Sequence, residues 1–290
     1  MNAYLLASRP KTLPAAIVPV WVGCALAYRL TGAWDGWLAF YTVMSAVWIQ
    51  VATNFFNDAI DSEKGADTDA RLGPVRATAA GQLSLKTVYT AAFVCLLLAA
   101  AFGWPLFVAR GWPMIAIAVP SFYLAYGYTG GPLPLAYRGL GELFVILFFG
   151  LVAVMGTVFV QTGVWYVQAL VAGLAIGCLS AVLIAINNLR DVDEDRLNDK
   201  RTLAVKWGRP AVLRLVWMMC LIAYTSAVWL FGSVPGLLYF LPAFIVGLLI
   251  IGNIYKHLPS QIYNKFLAMA ALQLILYAAA FMLNCDASVR

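Results

Sequence analysis

Nine stretches of this 290-residue chain are apolar for about as long as a helix needs to cross a bilayer. Crossing the hydrocarbon takes roughly 20 mainly apolar residues, because each adds only about 1.5 Å of rise. The stretches are 13–30, 36–54, 85–108, 112–127, 143–160, 164–186, 211–231, 234–254 and 266–283, the fourth being short. None alternates polar and apolar residues as a membrane β-barrel strand does. Helices are then the remaining way to satisfy the backbone in lipid. The expected fold is all-α: a polytopic membrane protein with nine transmembrane helices. Hydrophobic residues make up 63% of the chain and charged ones 11%, against about half and about a quarter in soluble domains. No polar linker divides it, so residues 1–290 read as one transmembrane domain.

The charges sort by side. With nine spans, 16 of the 19 Lys and Arg residues fall on one face and only Arg29, Arg110 and Arg290 on the other. The positive-inside rule then puts the N-terminus in the cytoplasm. The implied location is a multi-pass protein of the cytoplasmic (inner) membrane. The net charge of +6 is thus a topology signal and gives no reason to expect nucleic acid. The five Cys are scattered without a C-x-x-C pair, which argues against zinc and disulfides.

Eleven of the 13 acidic residues lie on the basic face, ten of them in two segments. The first runs from Asn54 through Asp58, Asp61, Glu63, Asp67 and Asp69 to Arg76. Asn54, Asp58 and Asp61 are spaced i, i+4 and i+7, so a helix sets them on one face; Gly65 ends that helix. The second runs from Asn187 through Asp191, Asp193, Glu194, Asp195 and Asp199 to Arg201. There Asn187, Asp191 and Asp195 share a face, and Asp193 and Glu194 point elsewhere. Each segment follows an even-numbered span: an amide, carboxylates a turn apart, then cations. Stacked like charges cost about 0.2–0.5 kcal/mol per pair, so repeating the device calls for a cation between the acids.

Hard oxygen donors select Mg²⁺ or Ca²⁺, and Mg²⁺ takes one or two carboxylates with waters and substrate phosphates. Neither segment has the Gly and Glu spacing of an EF-hand. Lys64, Arg71, Arg76, Arg190, Lys200 and Arg201 suit phosphate oxygens. Together these describe a magnesium–diphosphate site. In the connection 126–142, Tyr128 and Arg138 read equally well as interface anchors or as ligand contacts.

These residues resemble the UbiA superfamily of intramembrane prenyltransferases, and within it the 1,4-dihydroxy-2-naphthoate polyprenyltransferase (MenA-type) branch. The resemblance rests on Arg9-Pro-Lys-Thr-Leu13, Asn57-Asp58 through Gly73-Pro74-Val-Arg76, Gly139-Leu-Gly141-Glu142 with Phe148-Phe-Gly150, Asn187-Asn-Leu-Arg-Asp191 and Leu203-Ala-Val-Lys-Trp-Gly208. It implies nine helices around a central cavity capped by the two acidic loops. It also implies Mg²⁺ held by Asn54, Asp58, Asn187, Asp191 and Asp195. Ser62 stands where some branches carry a further carboxylate, leaving Asp61 and Asp67 to replace it. Lys11, Tyr128, Arg138 and Asn188 join the cations above as contacts to diphosphate or acceptor.

The reaction so implied moves a polyprenyl group from its diphosphate to 1,4-dihydroxy-2-naphthoate, releasing diphosphate and CO₂ and giving demethylmenaquinone. The catalytic carboxylates are Asp58, Asp61, Asp67, Asp191 and Asp195. The competing readings are another acceptor, 4-hydroxybenzoate or homogentisate, and a secondary transporter. A transporter's polar residues gather at the bilayer midplane, whereas these acids gather at helix ends.

Overall fold

The computed structural model describes residues 3–65, 72–73 and 76–287, and within these no strand occurs. The helices are α1 (Ala3–Ser8), α2 (Leu13–Thr31), α3 (Gly36–Glu63), α4 (Leu85–Arg110), α5 (Trp112–Gly127) and α6 (Gly141–Thr162). They continue as α7 (Val167–Arg190), α8 (Val192–Leu197), α9 (Leu203–Phe231), α10 (Val234–Leu238), α11 (Leu241–Lys256) and α12 (Tyr263–Ala287). Short 3₁₀ turns at Pro10–Thr12 and Leu135–Arg138 flank two of them.

All nine apolar runs become helix, but among the described residues only seven helices are long and apolar enough to cross a membrane, the first counted as the continuous stretch Ala3–Thr31. α5 and α11 have 16 residues each, about 24 Å of rise, short of the roughly 30 Å hydrocarbon core. The eighth run departs most from expectation. It breaks after Leu238 and restarts at Leu241, where Pro242 occupies the first turn. A proline there lacks the N–H that a continuing helix would need.

α3 matters most for placing a site. Asp35 caps it, Oδ1 accepting the N–H groups of Trp37 (2.8 Å) and Leu38 (2.9 Å). The helix then runs past its apolar stretch to Glu63, and Gly65, at φ 65°, ends it. The first acidic segment therefore begins, from Asn54 to Glu63, as the last turns of a transmembrane helix. α7 brings the second. Its buried face is almost continuous from Ala169 to Arg190 and includes Gly173 and Gly177.

Those two glycines admit the backbone of α6. A Cβ on Gly177 would stand 2.6 Å from the Ile146 carbonyl oxygen, and one on Gly150 only 2.5 Å from Gly177 Cα. Small residues permitting close helix approach are the usual means of packing in lipid. At this contact α6 widens into a π-turn over Ile146–Val152, which turns Phe148 and Phe149 toward a cavity among α2–α6. π-turns of this kind recur at functional sites.

Candidate functional site

Asn54, Asp58 and Asp61 do share one face of α3, and all three are buried. Asn54 Nδ2 donates to the Ser8 carbonyl (2.8 Å) and Thr12 Oγ1 (2.9 Å), tying the N-terminal segment to the motif. Its Oδ1 accepts from Gln50 Nε2 at 3.3 Å. Asp58 accepts the backbone N–H groups of Thr78 (3.0 Å) and Ala77 (3.3 Å), folding the chain after Arg76 back over α3. Asp61 takes a 2.6 Å ion pair from Arg76 and a 2.9 Å hydrogen bond from Tyr137 OH. Asp67 and Arg71 lie outside the described residues.

The second motif interrupts its helix and keeps its face. α7 ends at Arg190 and α8 begins at Val192, yet Asp191 N–H still bonds the Asn187 carbonyl (3.1 Å) and Asp195 N–H the Asp191 carbonyl (2.8 Å). Asp191 and Asp195 are buried, while Asp193 is exposed in a 3.7 Å pair with Arg196. Arg190 grips Asp191 with both ends of its fork, at 2.7 and 2.6 Å. The same guanidinium donates to Asn187 Oδ1 (2.9 Å) and Asn264 Oδ1 (2.7 Å). Asn264 in turn donates to the Leu72 carbonyl (3.1 Å), so α12 links the second motif to the segment after the first. Asn188 points the other way and donates to buried Glu142 (3.0 Å).

The two motifs meet at Tyr137. Its ring lies under Lys64 of the first segment (3.8 Å) and within 5.6 Å of Lys200 of the second. Its carbonyl accepts the Arg201 N–H at 3.1 Å. Electrostatics records the same closeness. Burial pushes the Asp195 carboxyl up to about 6; Lys200, 3.6 Å away, opposes this, and the charges of Asp191 and Asp61 add to it. Burial likewise raises the Tyr128 phenol, with help from Glu142, Asp61 and Asp195.

Two spaces adjoin this end. One, about 210 Å³, is almost wholly apolar and descends from Gln50 and Tyr128 past Phe148 and Phe149 to Met114 and Val160. It starts one turn below Asn54. The other is a polar basin of about 780 Å³ bordered by Lys64, Tyr137, Arg138, Arg201 and Lys206. The sequence-picked cations thus divide. Arg76 and Arg190 are engaged with motif carboxylates, whereas Lys64, Arg138 and Arg201 face the basin. Lys11 is exposed on its turn, and it is the neighbouring Thr12 that reaches Asn54.

The donor set fits a magnesium–diphosphate group. The acids are hard oxygen donors, buried, and close enough across the two motifs for Asp61 to shift Asp195. No three-residue His/Cys/Asp/Glu cage occurs among the described residues. Mg²⁺ needs none, since it binds through one or two carboxylates and the substrate's phosphates. A carboxylate oxygen has more than one lone pair, so accepting a hydrogen bond does not by itself preclude a metal.

Thr12, Gln50, Thr129, Tyr137 and Asn264 were not singled out from the sequence. Thr129 supports the first motif through its hydroxyl on Asn57 and its carbonyl on Lys64 Nζ (2.8 Å). A Tyr in a Gly/Pro loop or an Asn opening a helix carries no distinctive spacing, so only the fold exposes these roles.

Comparison with known proteins identifies the family and the fold. The UbiA prenyltransferase family model matches residues 16–275. A 1,4-dihydroxy-2-naphthoate octaprenyltransferase of Mycobacterium tuberculosis is 40% identical over 202 residues, 69% of this chain and 68% of that protein. One of Bacillus subtilis is 33% identical over 227 residues, 78% and 72% of the two chains. The fold matches the structure of a UbiA homolog from Archaeoglobus fulgidus bound to DMAPP and Mg²⁺ with a TM-score of 0.66. That match covers 96% of this chain and 98% of the other at 16% identity. The chain is a multi-pass membrane protein, and it belongs to the UbiA prenyltransferase family.

Proposed function

We propose that the protein transfers a polyprenyl group from polyprenyl diphosphate to 1,4-dihydroxy-2-naphthoate in a magnesium-dependent reaction that releases diphosphate and CO₂ and yields demethylmenaquinone. One observation carries the reading: buried carboxylates of two motifs converge at one end of the bundle, directly above an apolar cavity. The names of the relatives supply the acceptor. In this reading the chain is a single domain with nine crossings, α5 and α11 among them. Its N-terminus is cytoplasmic and its site opens to the cytoplasm from the inner membrane, as the 16 Lys and Arg residues on that face support.

Asn54, Asp58, Asn187, Asp191 and Asp195 would hold Mg²⁺, with Asp61 and Asp67 completing the acidic set. When bound, the ion supplies neutralisation of charge developing on the leaving diphosphate. Lys64, Arg138 and Arg201 attract the diphosphate from the basin side, and Arg76, Arg190 and Lys200 keep Asp61, Asp191 and Asp195 aimed. The prenyl tail lies in the apolar cavity. Phe148 and Phe149 shield the allylic carbon as its bond to oxygen lengthens, their ring faces favouring positive charge. The electron-rich ring attacks that carbon at the position bearing its carboxylate, and loss of CO₂ restores aromaticity.

The test uses purified protein in lipid nanodiscs with Mg²⁺ and a labelled polyprenyl diphosphate. Parallel reactions offer 1,4-dihydroxy-2-naphthoate, 4-hydroxybenzoate and homogentisate. Labelled product with the naphthoate is expected, falling at least a hundredfold in Asp58→Asn and Asp191→Asn. Product with 4-hydroxybenzoate alone, or full activity in either variant, would overturn the assignment.

A further inference from the structure

Gln50 lies on α3 one turn before Asn54 and lines the motif end of the apolar cavity. A chain of hydrogen bonds fixes which way its amide points. Thr12 spends its hydroxyl proton on the Arg9 carbonyl (3.0 Å), so its oxygen can only accept from the two amides. Asn54 Nδ2 supplies one of those bonds and Gln50 Nε2 the other, at 3.2 Å. Gln50 Nε2 also reaches Asn54 Oδ1. The nitrogen is therefore committed to the motif. The oxygen, Oε1, accepts no hydrogen bond, although the residue is only 8% exposed.

The serine and threonine hydroxyls along this wall are satisfied, Thr53 by the Ile49 carbonyl at 2.8 Å. Thr42, Ser45, Ser121 and Thr157 each donate to a main-chain carbonyl, at 2.7, 3.0, 2.7 and 2.7 Å. A buried acceptor left without a donor is unfavourable, so one retained in a native structure calls for an explanation such as a water, an ion or a functional role. We propose that Gln50 is the residue that reads the aromatic acceptor: Oε1 accepts a hydrogen bond from one of its ring hydroxyls.

The chemistry narrows the ligand. A carboxylate would bring lone pairs against a lone pair, and a prenyl chain has no donor to offer. A hydroxylated aromatic ring has both the O–H and the apolar faces that suit Phe148 and Phe149. Residues i and i+4 on a helix have Cβ atoms about 5–6 Å apart. A ring held at Gln50 therefore stands beside Asn54, where the diphosphate end of the donor must lie. The inference rests on the prenyl-transfer reading and adds to it the contact that selects the acceptor.

The test is a cycle between a side chain and a substrate group, in nanodiscs with Mg²⁺. Wild type and Gln50→Leu are assayed with 1,4-dihydroxy-2-naphthoate and with its two monomethyl ethers, each capping one hydroxyl. Kinetic constants are measured separately for acceptor and for polyprenyl diphosphate. Gln50→Leu should lower kcat/KM for the acceptor by about 10- to 100-fold and leave KM for the diphosphate within twofold. Capping the hydroxyl that meets Oε1 should cost wild type the same factor and cost Gln50→Leu nothing more. Equal losses for both substrates would show that Gln50 only braces Asn54, and a methyl ether penalty undiminished in Gln50→Leu would likewise refute the contact. If the leucine variant does not fold, Gln50→Asn, which keeps the amide but withdraws it by one methylene, enters the same cycle. Absence of transfer by wild type to any hydroxylated ring overturns the parent reading as well; transfer with additive losses overturns only Gln50.

Discussion

Replacing Arg190 by lysine keeps the charge and removes the geometry. The guanidinium makes four hydrogen bonds: two to Asp191, one to Asn187 and one to Asn264, all between 2.6 and 2.9 Å. A lysine ammonium is a point charge without the planar fork, so it keeps one of the two bonds to Asp191 and gives up Asn264 or Asn187 as well, two bonds in all. Hydrogen bonds to charged groups contribute about 1.5–3 kcal/mol each, so losing two costs about 3 kcal/mol at the low end. That approaches the roughly 3–5 kcal/mol of breaking a buried pair outright, the expectation for Arg190→Met. If these bonds aim Asp191 and Asn187 at the metal, the loss falls on the transition state. At about 1.36 kcal/mol per tenfold, Arg190→Lys should lower kcat/KM by about two orders of magnitude and weaken the Mg²⁺ requirement curve, and Arg190→Met should do worse. The assay is prenyl transfer in nanodiscs across a Mg²⁺ titration, with thermal unfolding recorded in parallel. A lysine variant within threefold of wild type at every Mg²⁺ concentration would refute the orienting role. A raised KM for polyprenyl diphosphate at unchanged Mg²⁺ dependence would instead make Arg190 a phosphate ligand.

Tyr137→Phe removes the hydroxyl from Asp61 and leaves the ring under Lys64; at about 1.5–3 kcal/mol for a hydrogen bond to a charged group, kcat/KM should fall about 10- to 100-fold, and Tyr137→Leu should fall further in the same assay. Gly177→Ala forces a methyl to 2.6 Å from the Ile146 carbonyl, so overpacking of about 1–3 kcal/mol should lower the thermal midpoint. Gly252→Ala, with open space around it, should raise that midpoint slightly, because a helical Gly costs about 0.5–1 kcal/mol relative to Ala. Asp195 holds its proton up to about pH 6 before metal binds, and a metal ligand must be deprotonated. Mg²⁺ affinity measured by titration should therefore weaken about tenfold per unit as pH falls below about 6, and Asp195→Asn should flatten that dependence.

Helical spacing and charge sidedness were enough to read the two motifs. Asn54, Asp58 and Asp61 fall on one face because α3 stays helical through Glu63, and Asp193 points away into solvent as its spacing requires. What spacing could not show is which cations serve the acids and which serve the substrate. Arg76 and Lys64 are both basic residues near the first motif, yet one is buried on Asp61 and the other borders a basin. That distinction depends on the chain after Arg76 folding back onto Asp58, a contact between main-chain N–H groups that leaves no mark in side-chain identity. The break at Tyr239–Phe240 was hidden for a different reason. Hydropathy is continuous across it, and only the requirement for a main-chain N–H at Pro242 reveals it.

The four described motif carboxylates are each oriented by a different part of the chain: Asp58 by main-chain N–H groups, Asp61 by Arg76 and Tyr137, Asp191 by Arg190, Asp195 by Lys200. Their separate partners reconcile two demands that would otherwise conflict. Carboxylates crowded at a membrane helix end repel one another, and the fold must survive before any cation arrives. Distributing a donor to each acid meets that demand without pairing the acids together. Because the donors to Asp58, Asp61 and Asp195 come from the connecting segments, satisfying these acids also folds those segments over the acidic end. The same bonds then serve chemistry, since oxygen atoms already aimed need no reorganisation when charge develops nearby. In the proposed reaction the acidic end is thus a scaffold first and a binding site second, since its carboxylates are held by protein donors.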